Sequence, residues 1–212
     1  MSLLRLLRKP FPYTFSNFSF YLIFANISIY FVQKYFRQHG VFLEETFALN
    51  AYHFVKEKMF WQAFTYMFLH GDFWHLFFNM LMLFWFGVSV ERKVGSKEFL
   101  LLYFLCGTLA GFAMGGLYYL TGTYSYVLGA SAALYAVMLI FAVLYPDSQV
   151  YLYFVLPIPS AVLVLAYFIL ELVQMFTNDG IAHAGHFFGL IFAWLYITIR
   201  YRISILKVFG FK

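Results

Sequence analysis

Charged side chains are scarce in this sequence. They occupy 11% of its 212 positions, whereas hydrophobic residues occupy 64%. A soluble domain usually carries about 25% charged residues. The mean hydropathy of +0.78 shows the same imbalance. These values argue against a soluble globular domain and predict a single membrane domain, with no room for a second globular unit.

Cysteine is also nearly absent, since Cys106 is the only one and lies in an apolar block. A disulfide framework within the chain and a CxxC metal pair are therefore excluded. The basic N-terminus lacks a signal-peptide cleavage pattern, so we expect a cytoplasmic anchor with no soluble domain before the first span. The net charge of +5 could suit nucleic acid. However, the basic residues flank apolar blocks and fit topology signals better, so no nucleic-acid partner is expected.

Long apolar blocks are what the sequence has in abundance. Most have the length of about 17–25 residues that crosses a bilayer, and they must be helical because lipid offers no partner for free backbone groups. The predicted fold class is therefore all-α, a polytopic bundle of six transmembrane helices. We predict a cytoplasmic N-terminal segment at 1–17, a membrane domain at 18–203 with a long first loop at about 37–71, and a cytoplasmic tail at 204–212. The six spans of the membrane domain are predicted at roughly 18–36, 72–90, 98–120, 126–145, 150–175 and 181–200.

The distribution of lysine and arginine predicts the orientation. With the N-terminus in the cytoplasm, ten of the fourteen basic residues fall on the cytoplasmic side and four on the other. Cytoplasmic loops carry the excess of positive charge, so both termini are expected inside. Small residues repeat every four positions in two spans, as close helix packing in lipid requires. These residues are Gly107, Gly111 and Gly115 in the third span, and Gly185, Gly189 and Ala193 in the sixth.

Few polar residues interrupt the spans, and those near the outer ends of three spans lie at a similar depth. His75 and Asn79 lie near the outer end of the second span, Ser131 near that of the fourth, and His183 and His186 near that of the sixth. Counted from the span ends at about 1.5 Å per residue, Ser131 and His186 lie roughly 7–11 Å below the surface. Polar residues inside a membrane are costly, so this coincidence indicates a functional site.

Each residue alone has a simpler explanation, because a serine in a membrane helix usually bonds its own backbone and a histidine often joins two helices. Together they suit acyl transfer. A serine hydroxyl needs an adjacent base, and a neutral histidine can take its proton near physiological pH. His75, Asn79 and the Ser131 backbone N–H could stabilise the oxyanion. No acid is expected to orient His186, because Asp179 is about two turns away along a helix and Glu171 belongs to another span. A dyad without metal or cofactor is therefore predicted.

The motifs around these residues resemble the rhomboid family of intramembrane serine proteases over roughly residues 60–200. HxxxN is present as His75 and Asn79, GxxxExxxG begins at Gly87, and GxSxxxY contains Gly129, Ser131 and Tyr135. The family places a glycine three residues after its catalytic histidine and a small residue seven after it. His186 meets this pattern with Gly189 and Ala193, whereas His183 does not.

The resemblance implies a nucleophilic Ser131, a general base in His186, and a supporting Tyr135 packed against the His186 ring. It implies transmembrane proteins as substrates, cut near the bilayer face without metal or cofactor. It also implies lateral substrate entry at span five and a plasma or inner membrane location for this minimal six-span form. The sequence departs from the family at Trp61-Gln62, where Trp-Arg is common, and at Phe188, where a glycine is frequent.

Three alternatives remain from the sequence. The first is an inactive rhomboid relative that binds membrane clients, although such relatives usually lack the serine or the histidine. The second is a metal site or transporter built on four histidines, although no HExxH motif or carboxylate partner is evident. These histidines are His70, His75, His183 and His186. The third is a purely structural membrane protein, which would leave the shared depth of the polar residues unexplained.

Overall fold

Long helices make up most of the computed structural model, which describes residues 10–152, 155–175, 177 and 182–210. The expected N-terminal segment lies partly outside these residues, and so does the join at 178–180. The helices are α1 (Phe18–Gln38), α2 (Leu43–Phe47), α3 (Ala51–Lys56), α4 (Gln62–Thr65), α5 (Phe73–Val94), α6 (Ser96–Thr121), α7 (Ser131–Leu144), α8 (Ser160–Gln174), α9 (His183–Tyr201) and α10 (Ile205–Val208). A two-stranded antiparallel sheet joins α7 to α8 and consists of β1 (Gln149–Leu152) and β2 (Leu156–Pro159).

Two of the predicted spans begin later than the sequence suggested. Residues 126–130 are not helical, because Gly129 has a φ of +124° and Val127 forms a backbone bridge with Leu49. The fifth block is not helical from residue 150, because β1 (Gln149–Leu152) and β2 (Leu156–Pro159) pair as antiparallel strands. Pro157 and Pro159 lack the N–H that a helix interior needs, so the helix begins only at Ser160. The expected span limits of 126 and 150 were therefore wrong.

Within the part of the chain that the structure describes, two helices, α5 and α6, have both the length and the apolar composition of a membrane span. The apolar helices α7 and α8 are shorter. Helix α5 contains a π-helical turn at Leu83–Gly87. Such turns hold an extra residue relative to the α-helix. The part of α5 before this turn carries His75 and Asn79, and the part after it carries Glu91.

The core lies where α9 packs against α7 and α6, which also pack against each other. Two glycines of α9 allow this close approach. A Cβ on Gly185 would lie 2.5 Å from the Met114 sulfur of α6, and one on Gly189 would lie 2.1 Å from the Ala132 carbonyl oxygen of α7. The predicted small-residue packing of the sixth span is thus confirmed, and it fixes α9 directly beside Ser131.

The glycine stripe of α6 packs against the first loop at two of its positions. A Cβ on Gly111 would lie 2.4 Å from the Ala63 carbonyl oxygen, and one on Gly115 would lie 2.6 Å from the Phe54 ring. Both neighbours belong to short helices of the first loop. The predicted close helix packing is present, and at these two positions the stripe seats the first loop against α6.

Polar contacts inside the first loop do not need the arginine that is common in the family. Gln62 is fully buried, accepts a hydrogen bond from the Asn50 backbone N–H at 3.1 Å and donates to the Thr46 carbonyl at 3.4 Å. The Trp61 indole N–H also donates to the Thr46 carbonyl, at 2.9 Å. Gln62 therefore supplies the loop with polar contacts of its own.

Two buried carboxylates fix the ends of helices. Glu91 accepts hydrogen bonds from the backbone N–H groups of Phe18 and Ser19 at 2.7 and 2.8 Å, so it satisfies free donors at the start of α1. Glu98 is paired with Arg200 near the C-terminal end of α9, at 2.8 Å between Oε2 and Nη2. Because both carboxylates lie on α5 or α6, they tie the first and last long helices to the centre of the bundle.

Candidate active site

Ser131 is the first residue of α7, and the loop before it is held on two sides. The backbone N–H of Gly129 donates to the Tyr66 carbonyl at 2.9 Å, and Leu49 and Val127 exchange backbone hydrogen bonds of 2.8 Å. The positive φ of Gly129 suits glycine and strains other residues. As the first residue of a helix, Ser131 has a backbone N–H without a partner inside that helix.

His186 lies one turn into α9 and faces Ser131. Its Nε2 is 2.7 Å from the Ser131 Oγ, a hydrogen-bond distance. Tyr135, one turn after the serine, stacks on the His186 ring with a centroid distance of 4.3 Å and an interplanar angle of 5°. This stacking confirms the contact expected between Tyr135 and His186. The structure thus brings together the serine and the second of the two candidate histidines.

His75 and Asn79 of α5 reach the backbone next to Ser131. A Cβ built on Gly129 would lie 2.6 Å from His75 Nε2 and 3.8 Å from Asn79 Nδ2, so both nitrogens approach the backbone just before Ser131. Asn79 is buried and donates to the His75 carbonyl at 2.9 Å. Its amide carries two hydrogens, so this bond leaves one for another acceptor. Three helices therefore direct polar groups to one point, as predicted.

A cavity of about 1220 Å³ opens beside these groups. His75, Ser131, Tyr135 and His186 all line it, together with Asp72 and a series of tyrosine, threonine and serine side chains. Cavities that hold water need polar partners and room, and this one offers both. The space that a hydrolytic reaction requires is thus present next to Ser131.

Glu171 was missed as a site residue. Its carboxylate, which comes from α8, is 2% exposed and its Oε1 lies 3.2 Å from His186 Nδ1. The expectation that no acid reaches His186 was therefore wrong for Glu171, and Asp179 lies outside the described residues. The reason is geometric, because a span's sequence does not reveal which neighbouring helix its side chains face. One signal was available, since an ionisable residue within an apolar helix points to function by default.

His183 does not compete for Ser131. It is buried, and its Nδ1 lies 2.6 Å from Glu171 Oε2, which confirms that it is a hydrogen-bonding residue. Glu171, His183 and His186 offer three ligand atoms within 4.8 Å of one another, a donor set that zinc could accept. In this structure, both Glu171 oxygens and His183 Nδ1 already take part in hydrogen bonds between side chains.

His70 packs against the ring of His75, with 5.1 Å between centroids. Its burial, together with the neighbouring charge of His75, lowers the pKa of His70 to about 3. This side chain is therefore neutral at physiological pH.

Comparison with known proteins agrees with the geometry. The Rhomboid domain family matches residues 57–203. The chain is 30% identical over 196 residues to the RHOMBOID-like protein 12, mitochondrial, of Arabidopsis thaliana, which covers 82% of this chain and 56% of that protein. It is 38% identical over 96 residues to Rhomboid protein 1, mitochondrial, of Saccharomyces cerevisiae, covering 44% of this chain and 27% of that protein.

A bacterial relative extends the comparison. The rhomboid protein YdcA of Bacillus subtilis is 28% identical over 133 residues, which is 61% of this chain and 62% of that protein. The chain thus spans less than two thirds of the length of each of these relatives. Because the family match covers more than half of the sequence, this chain is a member of the rhomboid family, integral membrane proteins that are generally serine proteases.

Proposed function

We propose that this protein is an intramembrane serine endopeptidase, with Ser131 as nucleophile and His186 as general base. The observation that carries this proposal is the 2.7 Å contact between Ser131 Oγ and His186 Nε2, beside a polar cavity. A serine becomes a competent nucleophile when an adjacent base can take its proton. Members of the family that lack activity usually lack one of these two residues, and this chain has both.

The proposed reaction proceeds in two halves. Ser131 Oγ bonds to the carbonyl carbon of the scissile peptide while its proton passes to His186 Nε2, and the carbonyl oxygen becomes an oxyanion. The carbon–nitrogen bond then breaks as His186 gives that proton to the leaving amine, which leaves an acyl-serine. Water then attacks the acyl carbon while His186 takes a proton from it. The bond between that carbon and Ser131 Oγ breaks as His186 returns the proton to the serine, which releases the new carboxyl end of the substrate.

The oxyanion would be held by the Ser131 backbone N–H, His75 and Asn79. Preplaced donors stabilise the charge that develops in the transition state, and they do so best in a site shielded from water. In support, His75 Nε2 and Asn79 Nδ2 both approach the backbone at Gly129. A side chain at position 129 would occupy this space, so glycine there keeps the donors close to the reacting carbonyl.

The substrates would be transmembrane segments of other membrane proteins. Family membership supports this class, and a cavity beside the serine offers room for an extended chain segment. We further propose six spans within a plasma or inner membrane, with both termini in the cytoplasm. The orientation rests on the excess of lysine and arginine, ten against four, on the proposed cytoplasmic side.

Labelling with a fluorophosphonate tests the activity. We expect the detergent-solubilised protein to be labelled, and Ser131→Ala and His186→Ala to abolish the reaction. Ser125→Ala is a matched control, because Ser125 lines the same cavity and has no proposed role. Labelling that persists in Ser131→Ala would rule out the assigned nucleophile. A folded wild-type protein that resists labelling would favour the client-binding alternative.

Thiol labelling in cells tests the orientation. In a Cys106→Ala background, Lys56→Cys and Lys207→Cys place single reporters at two exposed positions on opposite proposed sides. A membrane-impermeant maleimide should reach Lys56→Cys in intact cells and Lys207→Cys only after permeabilisation. The reverse pattern would contradict the proposed orientation.

A further inference from the structure

Glu171 completes a chain of contacts behind the proposed catalytic pair. Its Oε1 lies 3.2 Å from His186 Nδ1, and His186 Nε2 lies 2.7 Å from Ser131 Oγ. The His186 Nδ1 is buried, and among the described residues it has no hydrogen-bond partner. Glu171 Oε1 lies within hydrogen-bond distance of this nitrogen, at 3.2 Å, and lacks only the alignment of a hydrogen bond. Contacts of this kind are often loose without substrate and shorten in the reacting complex.

The carboxylate is itself held in place from two directions. Tyr135 donates its hydroxyl to Glu171 Oε1 at 2.6 Å, and His183 Nδ1 lies 2.6 Å from Oε2. A buried carboxylate is costly unless it receives hydrogen bonds, so these two partners account for its presence at 2% exposure. They also keep Glu171 from turning away from His186.

Tyr135 links this carboxylate to the histidine a second time. Its ring stacks on His186 while its hydroxyl bonds Glu171. The stacking fixes the plane of the imidazole, and the carboxylate can fix which edge of the ring faces Ser131. The three side chains come from α7, α8 and α9, so the orientation of His186 depends on all three helices.

An ionised carboxylate accepts hydrogen bonds and cannot donate them. A proton on His186 is thus drawn to Nδ1, the nitrogen that faces Glu171, and Nε2 keeps its lone pair toward Ser131. This is the tautomer that a general base needs. When Nε2 takes the serine proton, the positively charged imidazolium that forms lies next to the negative carboxylate of Glu171.

We propose that Glu171 is a positioning residue that holds His186 in the reactive tautomer and stabilises its protonated form. The site then acts as a Ser131–His186–Glu171 array rather than a dyad. This inference rests on the proposed function, because it describes how the base of that reaction is oriented. Glu171 need not touch the substrate.

The test compares Glu171→Gln with a control that removes a second buried carboxylate. Glu98→Gln is matched, because Glu98 is equally buried and is paired with Arg200. Arg200 lies fourteen residues after His186 on α9, which is about 20 Å along the helix. The rate of fluorophosphonate labelling is measured for each purified variant. In parallel, a thiol-reactive dye reports unfolding through Cys106, which is buried in the folded protein.

We expect Glu171→Gln to slow labelling of the folded fraction by at least about tenfold, and by up to about 10⁴-fold as for the acid of soluble triads. Glu98→Gln should lower the unfolding midpoint without slowing labelling of the folded protein. On a transmembrane peptide substrate, Glu171→Gln should lower kcat and leave KM close to wild type, because Glu171 acts on the base and not on substrate binding. A purely structural change would not produce this split.

The outcomes separate the two proposals. The positioning role is overturned if Glu171→Gln is labelled at the wild-type rate. It is also overturned if both carboxylate variants lose labelling only in proportion to their unfolded fraction. Neither result affects the roles of Ser131 and His186. Wild-type protein that is not labelled, or labelling that survives Ser131→Ala, overturns the function itself. If Glu171→Gln does not fold, Glu171→Asp replaces it, because it keeps the charge and withdraws the oxygens by about 1.5 Å. An unchanged labelling rate in this variant also overturns the positioning role.

Discussion

Replacing Gly189 by alanine should separate the serine from its base without altering either residue. A Cβ at this position would lie 2.1 Å from the Ala132 carbonyl oxygen. An ordinary carbon–oxygen contact is about 3.3 Å or longer, so α7 and α9 must part by about 1.2 Å. Backbone cannot rotate away as a side chain can, and overpacking of this kind costs about 1–3 kcal/mol.

The same displacement acts directly on the candidate site, because Ala132 follows Ser131 and Gly189 is three residues after His186. The Ser131 Oγ–His186 Nε2 distance of 2.7 Å would exceed hydrogen-bond range if it grew by the full separation. A misplacement of about 1 Å can cost about 10²-fold in rate. We therefore expect Gly189→Ala to lower the labelling rate by about 10²-fold, together with a lower unfolding midpoint.

The fluorophosphonate and thiol-dye assays measure both effects on one preparation. Gly116→Ala is the control, because no atom lies within 4 Å of a Cβ built there. It should leave both values close to wild type. A Gly189→Ala protein that is labelled and unfolds like wild type would refute the reasoning, since the helices would then tolerate a side chain at their closest contact.

Four further substitutions have defined outcomes. His75→Ala or Asn79→Ala should slow labelling by up to about 10²–10³-fold with an unchanged unfolding midpoint, and equal rates would remove their oxyanion role. Glu91→Ala should lower the unfolding midpoint, at about 1–3 kcal/mol for each buried donor left unpaired, with a normal labelling rate for the folded protein. Burial raises the pKa of Glu44, but hydrogen bonds from the backbone and Gln33 and the Arg37 charge outweigh it, so the pKa is lowered. Its stabilising effect is present above the ordinary carboxyl pKa of about 4.3 and is lost as pH falls through the lowered value. Thermal unfolding from pH 6 downward should therefore show a smaller acid-induced decline in Glu44→Gln than in wild type.

The sequence predicted the parts of the fold that hydrophobic length controls. Apolar blocks revealed where long helices lie, because a run of apolar residues is a local property. It did not reveal that residues 126–130 are not helical, since that depends partly on a bridge between Val127 and the distant Leu49. The depth calculation for Ser131 used a helical rise over these residues, so it does not apply to the observed loop.

For the candidate site, sequence motifs identified the residues but not their neighbours. Ser131 and His186 were paired from spacing and resemblance, and the structure places them in contact. Glu171 could not be assigned in the same way, because the rotation of α8 about its own axis decides whether that side chain faces α9 or lipid. The hydrogen bonds to Tyr135 and His183 show which face it takes.

The π-helical turn at Leu83–Gly87 sets the phase between the two halves of α5. One half points His75 and Asn79 toward Gly129, and the other points Glu91 toward the start of α1. Each residue of an α-helix advances the direction of its side chain by about 100°. Deleting one residue from the turn would therefore swing one set of side chains away from its partners, however well the rest of the helix formed. The turn thus sets the rotation between the two halves of α5, so that one helix can contact both Gly129 and the start of α1.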